Sequence, residues 1–213
     1  MRASRKRYYV PVLVVVLAAC MLASLLALTG CGDDQAKQDF VNGMLSIMEE
    51  NQSQPEIAAE GQQAFLAYSE SGFTDLESAK KAADSFAASN EKDAQSLQRL
   101  DALEKPDESA QEVASTLQLG ILTMDEGNTI YEDALREAPE QSEEERSQIF
   151  ASTGVAMSLY LEGIEHIISA FESLLEYTKT NGLEGEQEVD SWYQKFKSEK
   201  ESIEQSMEAM GGI

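Results

Sequence analysis

Apolar residues follow two patterns along this chain. Residues 10–28 form an almost continuous apolar run, whereas from about residue 35 onward apolar side chains recur every three or four positions. A spacing of three and four residues is that of one face of an α-helix. The pattern therefore predicts an α-helical body behind an apolar N-terminal segment.

Helix-breaking residues divide this body into five or six helices. Because the connections between them are short, consecutive long helices are expected to run antiparallel. The sequence thus predicts an all-α fold, an elongated up-and-down antiparallel bundle, as a single domain over residues 35–213. Seven-residue apolar spacing in the long helices leaves a coiled-coil-like homo-oligomer as an alternative. The predicted breaks are Pro55, Ser71-Gly72, Pro106, Pro139 and Asn181-Gly182, and the predicted capping boxes are Thr74 with Glu77 and Ser142 with Glu145.

Charge is distributed very unevenly. Four of the 16 basic residues and none of the 39 acidic ones lie within residues 1–30, so the remainder carries a net charge of −27. Such a surface repels phosphate backbones and anionic lipid headgroups, so we expect no nucleic-acid binding and no flat contact with a membrane. It would favour a cationic protein or peptide partner, or simply keep the domain soluble.

The N-terminal segment has the order of a secretory signal. A basic head over residues 1–9 precedes the apolar run, which is long enough that an uncleaved membrane anchor is the alternative. The run ends in Leu28-Thr29-Gly30-Cys31. This motif resembles the lipobox of bacterial lipoproteins, in which a branched aliphatic residue stands three positions before the cysteine and a small residue directly before it. The resemblance covers only the first 31 residues.

The resemblance implies a lipid anchor at Cys31. Residues 1–30 would be a signal peptide, residues 31–34 a lipidated tether, and Cys31 would carry a diacylglyceryl thioether, with further acylation by chains such as palmitate. Two or three acyl chains hold a protein stably at a membrane. The expected location is the cell membrane, facing the extracytoplasmic side. Cys20 would leave with the signal peptide, so the mature chain could form no internal disulfide.

The remaining residues carry no recognisable catalytic set. His166 is the only histidine, and Gly163 stands where a di-metal bundle would need a glutamate. The chain has no phosphate-binding loop, nucleophile elbow or dinucleotide-binding glycine motif. We therefore predict no enzyme activity, metal site or cofactor. His166 is expected on an exposed face, paired with Glu162 one turn away.

Four residues are candidates for ligand binding. Gly120 and Gly127 lie seven positions apart on the inner face of the fourth predicted helix, and they indicate either close helix packing or a groove. Asn90 and Asp93 interrupt the apolar face of the third helix. They would line a cavity, form a buried polar pair, or be turned into solvent, and the last is the simplest interpretation.

Two functions agree with this sequence. The favoured one is a membrane-anchored, non-enzymatic interaction or scaffold module. The alternative is a ligand-capturing domain for a cationic peptide, an amine or a metal ion.

Overall fold

The computed structural model describes residues 32–50, 54–142, 144–146 and 154–209. In these ranges the chain is helical apart from its turns and contains no strand, so the all-α prediction is confirmed. A short 3₁₀ helix, Ala138–Glu140, follows the fourth helix, and residues 144–146 form one helical turn. The helices are α1 (32–50), α2 (Gln54–Glu70), α3 (Leu76–Ala102), α4 (Glu108–Glu137), α5 (Gly154–Asn181) and α6 (Glu186–Ala209).

Consecutive helices pack against each other from α2 through to α6. On α4 and α5 the residue numbers run in opposite directions, because Gly120 lies beside Ile167 and Gly127 beside Ala156. Helix α1 packs on the C-terminal part of α3, where Ser46 accepts hydrogen bonds from Arg99, and α2 packs on the N-terminal part. Together, α1 and α2 cover successive stretches of α3 in an antiparallel bundle.

Local signals explain where the helices end. Gly72 and Gly182 have φ angles of 69° and 63°, a left-handed conformation that glycine adopts without steric cost. In both turns the glycine and the residue after it donate backbone hydrogen bonds to carbonyls in the last turn of the helix, which is the pattern of a Schellman motif. The predicted stops at Ser71-Gly72 and Asn181-Gly182 are therefore confirmed.

Helix starts agree less closely with the sequence analysis. The Ser142–Glu145 capping box is confirmed, since Glu145 Oε2 accepts from Ser142 N at 2.8 Å and Glu145 N donates to Ser142 Oγ at 3.4 Å. The box predicted for Thr74 and Glu77 is wrong. Asp75 caps α3 instead, because its Oδ1 accepts from two backbone N–H groups in the first turn, and the Thr74 hydroxyl donates to the carbonyl of Ser71.

The N-terminal part of the body also differs from expectation. Residues 32–34 belong to α1, whereas the sequence analysis assigned them to a separate polar tether. The predicted signal segment, the Leu28–Cys31 motif and the junction between α1 and α2 lie outside the described residues. No helix among those that the structure describes is long and apolar enough to cross a membrane.

Two apolar cores fill the bundle, one at each end. The larger core joins α1, the C-terminal part of α3, the N-terminal part of α4, α5 and α6, and the smaller core joins α2 with the opposite ends of α3, α4 and α5. The largest fully buried side chains include Tyr68 in the smaller core and Phe40, Met44, Ile47, Leu100, Leu117, Ile164, Phe171 and Leu174 in the larger one.

Candidate functional site

A layer of buried polar side chains separates the two cores, and we call it the polar layer. It consists of Ser89, Asp93 and Ser96 on α3 and Asn128 on α4, each with 3% of its surface exposed. On α3 these residues fill the inner positions between Phe86 of the smaller core and Leu100 of the larger one. Asp93 is therefore buried, and the interpretation that a rotated helix turns it into solvent is wrong.

Tyr160 of α5 lies close to this layer and connects it to α6. Its hydroxyl donates a hydrogen bond to Glu199 Oε1 at 3.5 Å. Burial raises the pKa of the Tyr160 phenol well above its usual range, and the negative charges of Glu199 and Asp93 act in the same direction. The phenol consequently stays protonated near neutral pH, where it can donate a hydrogen bond but cannot act as a base.

The pKa of the Glu199 carboxylate is shifted by this arrangement. Burial raises its pKa, while the charge of Lys195 and the hydrogen bond from Tyr160 partly oppose that effect. Neither Tyr160 nor Glu199 is among the candidate residues predicted from the sequence. A signal for Glu199 existed, since it lies three residues after the inward-facing Phe196, but a single glutamate at helical spacing is common on exposed faces.

Asn90 lies at the edge of the polar layer rather than within it. Its side chain is half-buried, and Nδ2 donates to Thr129 Oγ1 at 3.3 Å and to Glu132 Oε2 at 3.4 Å. These contacts cross from α3 to α4. Asn90 thus contributes to a polar contact between two helices, and the interpretation that it faces only solvent is wrong as well.

Gly120 and Gly127 allow α4 and α5 to approach closely. A Cβ atom at Gly120 would lie 2.8 Å from the carbonyl oxygen of Gly163, and one at Gly127 would lie 2.7 Å from that of Ala156. Real Cβ atoms essentially never come so close to other atoms. The backbones therefore already occupy the space where a groove was considered, and close packing is confirmed at both glycines.

The described clefts lie elsewhere on the surface. One of about 300 Å³ opens between the start of α4 and the end of α5, where Glu112 and Glu176 are among its lining residues. Another of about 660 Å³ runs between α2 and α3 and is lined by both acidic and basic side chains. Asn90, Asp93, Gly120 and Gly127 line neither cleft.

The single histidine occupies an ordinary surface position. The side chain of His166 is 33% exposed, and its Nε2 lies 3.9 Å from Glu162 Oε1, one helical turn away. This pairing agrees with the sequence-based expectation. Within the described ranges, no group of three or more His, Cys, Asp and Glu side chains is arranged to hold a metal ion.

Comparisons with protein-family models, with curated proteins and with solved structures find no match for this chain.

Proposed function

We propose that this protein is a lipoprotein anchored to the extracytoplasmic side of a cell membrane, and that its bundle is a non-enzymatic interaction or scaffold module. The observation that carries the proposal is the order of three features within the first 31 residues. A basic head precedes an apolar run, and the run ends in Leu28-Thr29-Gly30-Cys31. Each feature alone is common, but their order and position suit export followed by lipidation of Cys31.

The bundle is suited to a role in interaction rather than catalysis. The chain has one histidine and none of the nucleophile or phosphate-binding motifs, and the hydrogen bonds of Asn90 and Tyr160 beside the polar layer join one helix to another. The acidic surface, with a net charge of −27 after residue 30, favours a cationic protein or peptide as the partner.

Ligand capture is the second candidate, and the cleft between α4 and α5 is the observation that favours it. Its volume of about 300 Å³ is at the lower limit for small-molecule sites. Glu112 and Glu176 would give it the negative charge that an amine requires. Replacing both with glutamine should abolish amine binding measured by calorimetry, and no binding by the unaltered protein would eliminate this candidate.

The anchor is tested by comparing two cysteine variants. Cys31→Ala should stop processing, so that the full-length precursor accumulates. Cys20→Ala is the matched control, because this cysteine lies within the apolar run and would be removed with it. Its product should have the unaltered mature size and should enter the detergent phase on phase separation. Normal processing and detergent partitioning of Cys31→Ala would refute the proposal.

A further inference from the structure

The N-terminal end of α1 is firmly attached to one end of the bundle. Lys37 Nζ donates to Asn181 Oδ1 at 3.1 Å and lies 3.9 Å from Asp107 Oδ2. The side chain of Gln38 contacts both the carbonyl and the N–H group of Glu184, at 3.1 and 2.8 Å. These contacts join α1 to the α3–α4 turn and to the α5–α6 turn. One turn later, Phe40, Val41 and Met44 are fully buried in the larger core.

Helical structure continues from these contacts to Gly32, the residue that follows Cys31. The five residue steps from Gly32 to Lys37 advance about 8 Å along a helix, whereas an extended segment of the same length would reach roughly 17 Å. The described chain thus provides little slack between Cys31 and the end of the bundle formed by residues 32–38, 103–107 and 182–185, which we call the α1 end.

From these observations we propose that the α1 end of the bundle lies against the membrane, so that the long axis of the bundle points away from the lipid surface. The inference rests on the proposed lipidation of Cys31. Helix α1 runs antiparallel to α3, because Gly43 lies beside Leu103 and Ser46 beside Arg99, so the start of α1 lies at the same end of the bundle as the end of α3. Contact along the whole side of the bundle would bring more of the net charge of −27 against anionic headgroups than contact at one end, so repulsion favours the smaller contact.

The opposite end is formed by residues 71–75 and 138–142, and we call it the α2 end. Helix α3 runs from one end to the other, and its 27 residues span about 40 Å. In the upright orientation, the α2 end therefore lies about 40 Å farther from the headgroups than the α1 end. A partner protein embedded in the same membrane would contact the α1 end, whereas a partner farther from the membrane would contact the α2 end.

Fluorescence quenching at three heights measures this orientation. The full chain is expressed, purified in detergent and placed in vesicles of phosphatidylethanolamine and phosphatidylglycerol that carry a quencher on the headgroup. Cysteines for a fluorophore are introduced one at a time at exposed positions: Glu104→Cys at the α1 end, Glu126→Cys in the middle of α4 and Glu70→Cys near the α2 end. Circular dichroism checks that each variant retains its helices.

We expect quenching at position 104 to exceed that at position 70 at least threefold, with position 126 close to position 70. Strong quenching at position 126 would overturn the proposal in favour of side-on contact, which would bring the exposed Leu119 and Leu122 to the lipid. Equal weak quenching at all three positions would overturn it in favour of a freely swinging bundle. If the protein does not bind vesicles and the fluorophore labels Cys31 itself, Cys31 carries no lipid. That result refutes the proposed lipidation of Cys31 and is distinguishable from the two results that refute only the orientation.

A length variant tests the role of the helical connection. Inserting ten glycine and serine residues between Cys31 and Gly32 leaves the lipidation motif and the bundle unaltered but adds a flexible segment. Quenching at position 104 should then fall to nearly that at position 70. If it stays high, the α1 end binds lipid by itself and the argument from helical continuity is wrong.

Discussion

Replacing Gly163 with alanine tests how far the bundle depends on the close approach of α4 and α5. The added carbon would lie 2.7 Å from the carbonyl oxygen of Gly120 and 2.9 Å from the backbone nitrogen of Met124. Ordinary contacts of a Cβ atom begin at 3.4 Å, so the backbones would have to separate by the difference between 3.4 and 2.7 Å, about 0.7 Å. A rotating side chain cannot relieve this conflict, because both atoms belong to the backbone of α4.

Two opposing effects set the expected magnitude. Overpacking a well-packed contact costs about 1–3 kcal/mol, whereas alanine is favoured over glycine within a helix by about 1 kcal/mol. Gly120 and Gly127 maintain the same close approach along α4, so separation at Gly163 also weakens contacts on either side. We therefore expect Gly163→Ala to lower the free energy of unfolding by about 1–2 kcal/mol.

Urea unfolding, followed by circular dichroism on a soluble form that starts at Gly32, measures this loss. Gly43→Ala is the matched control, because the three atoms nearest to its added carbon all belong to the side chain of Leu103, which can rotate away. It should lose no more than about 0.5 kcal/mol. Combining Gly163→Ala with Gly120→Ala should cost less than the sum of the two, since one separation accommodates both. A Gly163→Ala protein as stable as the unaltered one would refute the reasoning.

Three further substitutions and one chelation experiment test other parts of the structure. Asp93→Ala should lower the free energy of unfolding in urea by about 1–3 kcal/mol, because Asp93 is buried and polar. The control, Asp101→Ala at an exposed position, should change it by less than about 0.5 kcal/mol. Equal effects of the two substitutions would contradict the burial of Asp93 in the polar layer. Asp107→Ala should lower the free energy of unfolding by about 1 kcal/mol in the same assay, because the Asp107 side chain caps α4 by accepting a hydrogen bond from Ala110 N at 2.8 Å. An unchanged free energy of unfolding would show that this cap contributes nothing to stability. Burial raises the pKa of Glu199 above its ordinary 4.5, so the contribution of this carboxyl to stability is greatest at low pH and is lost as the pH rises through the raised pKa. Glu199→Gln should therefore gain stability relative to the unaltered protein as the pH rises. Parallel stability–pH curves for the two proteins would contradict this prediction. A chelator should leave the helical circular dichroism signal unchanged, and a large loss of helix would favour a metal-dependent fold.

The fold could be predicted from the sequence because its signals are local. Glycine at 72 and 182 marks a left-handed turn whatever surrounds it, so two helix ends were predicted correctly. Capping is also local, but Thr74 and Asp75 are both good N-cap residues, and the sequence does not show which of them the chain uses. Asp75 prevails because its carboxylate reaches two N–H groups while Thr74 is engaged with Ser71.

The polar layer required information that a single helix does not contain. The inner positions after Phe86 fall at Ser89, Asp93 and Ser96, but continuing the apolar spacing from Phe86 to Leu97 and Leu100 also passes close to Asn90. A straight α-helix rotates by about 20° every seven residues relative to a strict seven-residue repeat, and this rotation decides which of two neighbouring positions faces inward. Packing against α4 settles it in favour of Ser89. Glu199 lies on another helix, so its approach to Tyr160 follows only from the way α6 packs on α5.

Mass spectrometry of the N-terminal peptide shows whether Cys31 is the lipid-modified first residue of the mature protein. Protein is extracted from membranes with detergent and cleaved with trypsin, which should release residues 31–37, since Lys37 is the first basic residue after Cys31. We expect a peptide that begins at Cys31 and carries the added mass of two or three acyl chains. An unmodified Cys31 peptide, or a peptide of residues 8–37 that spans the cleavage site, would contradict it.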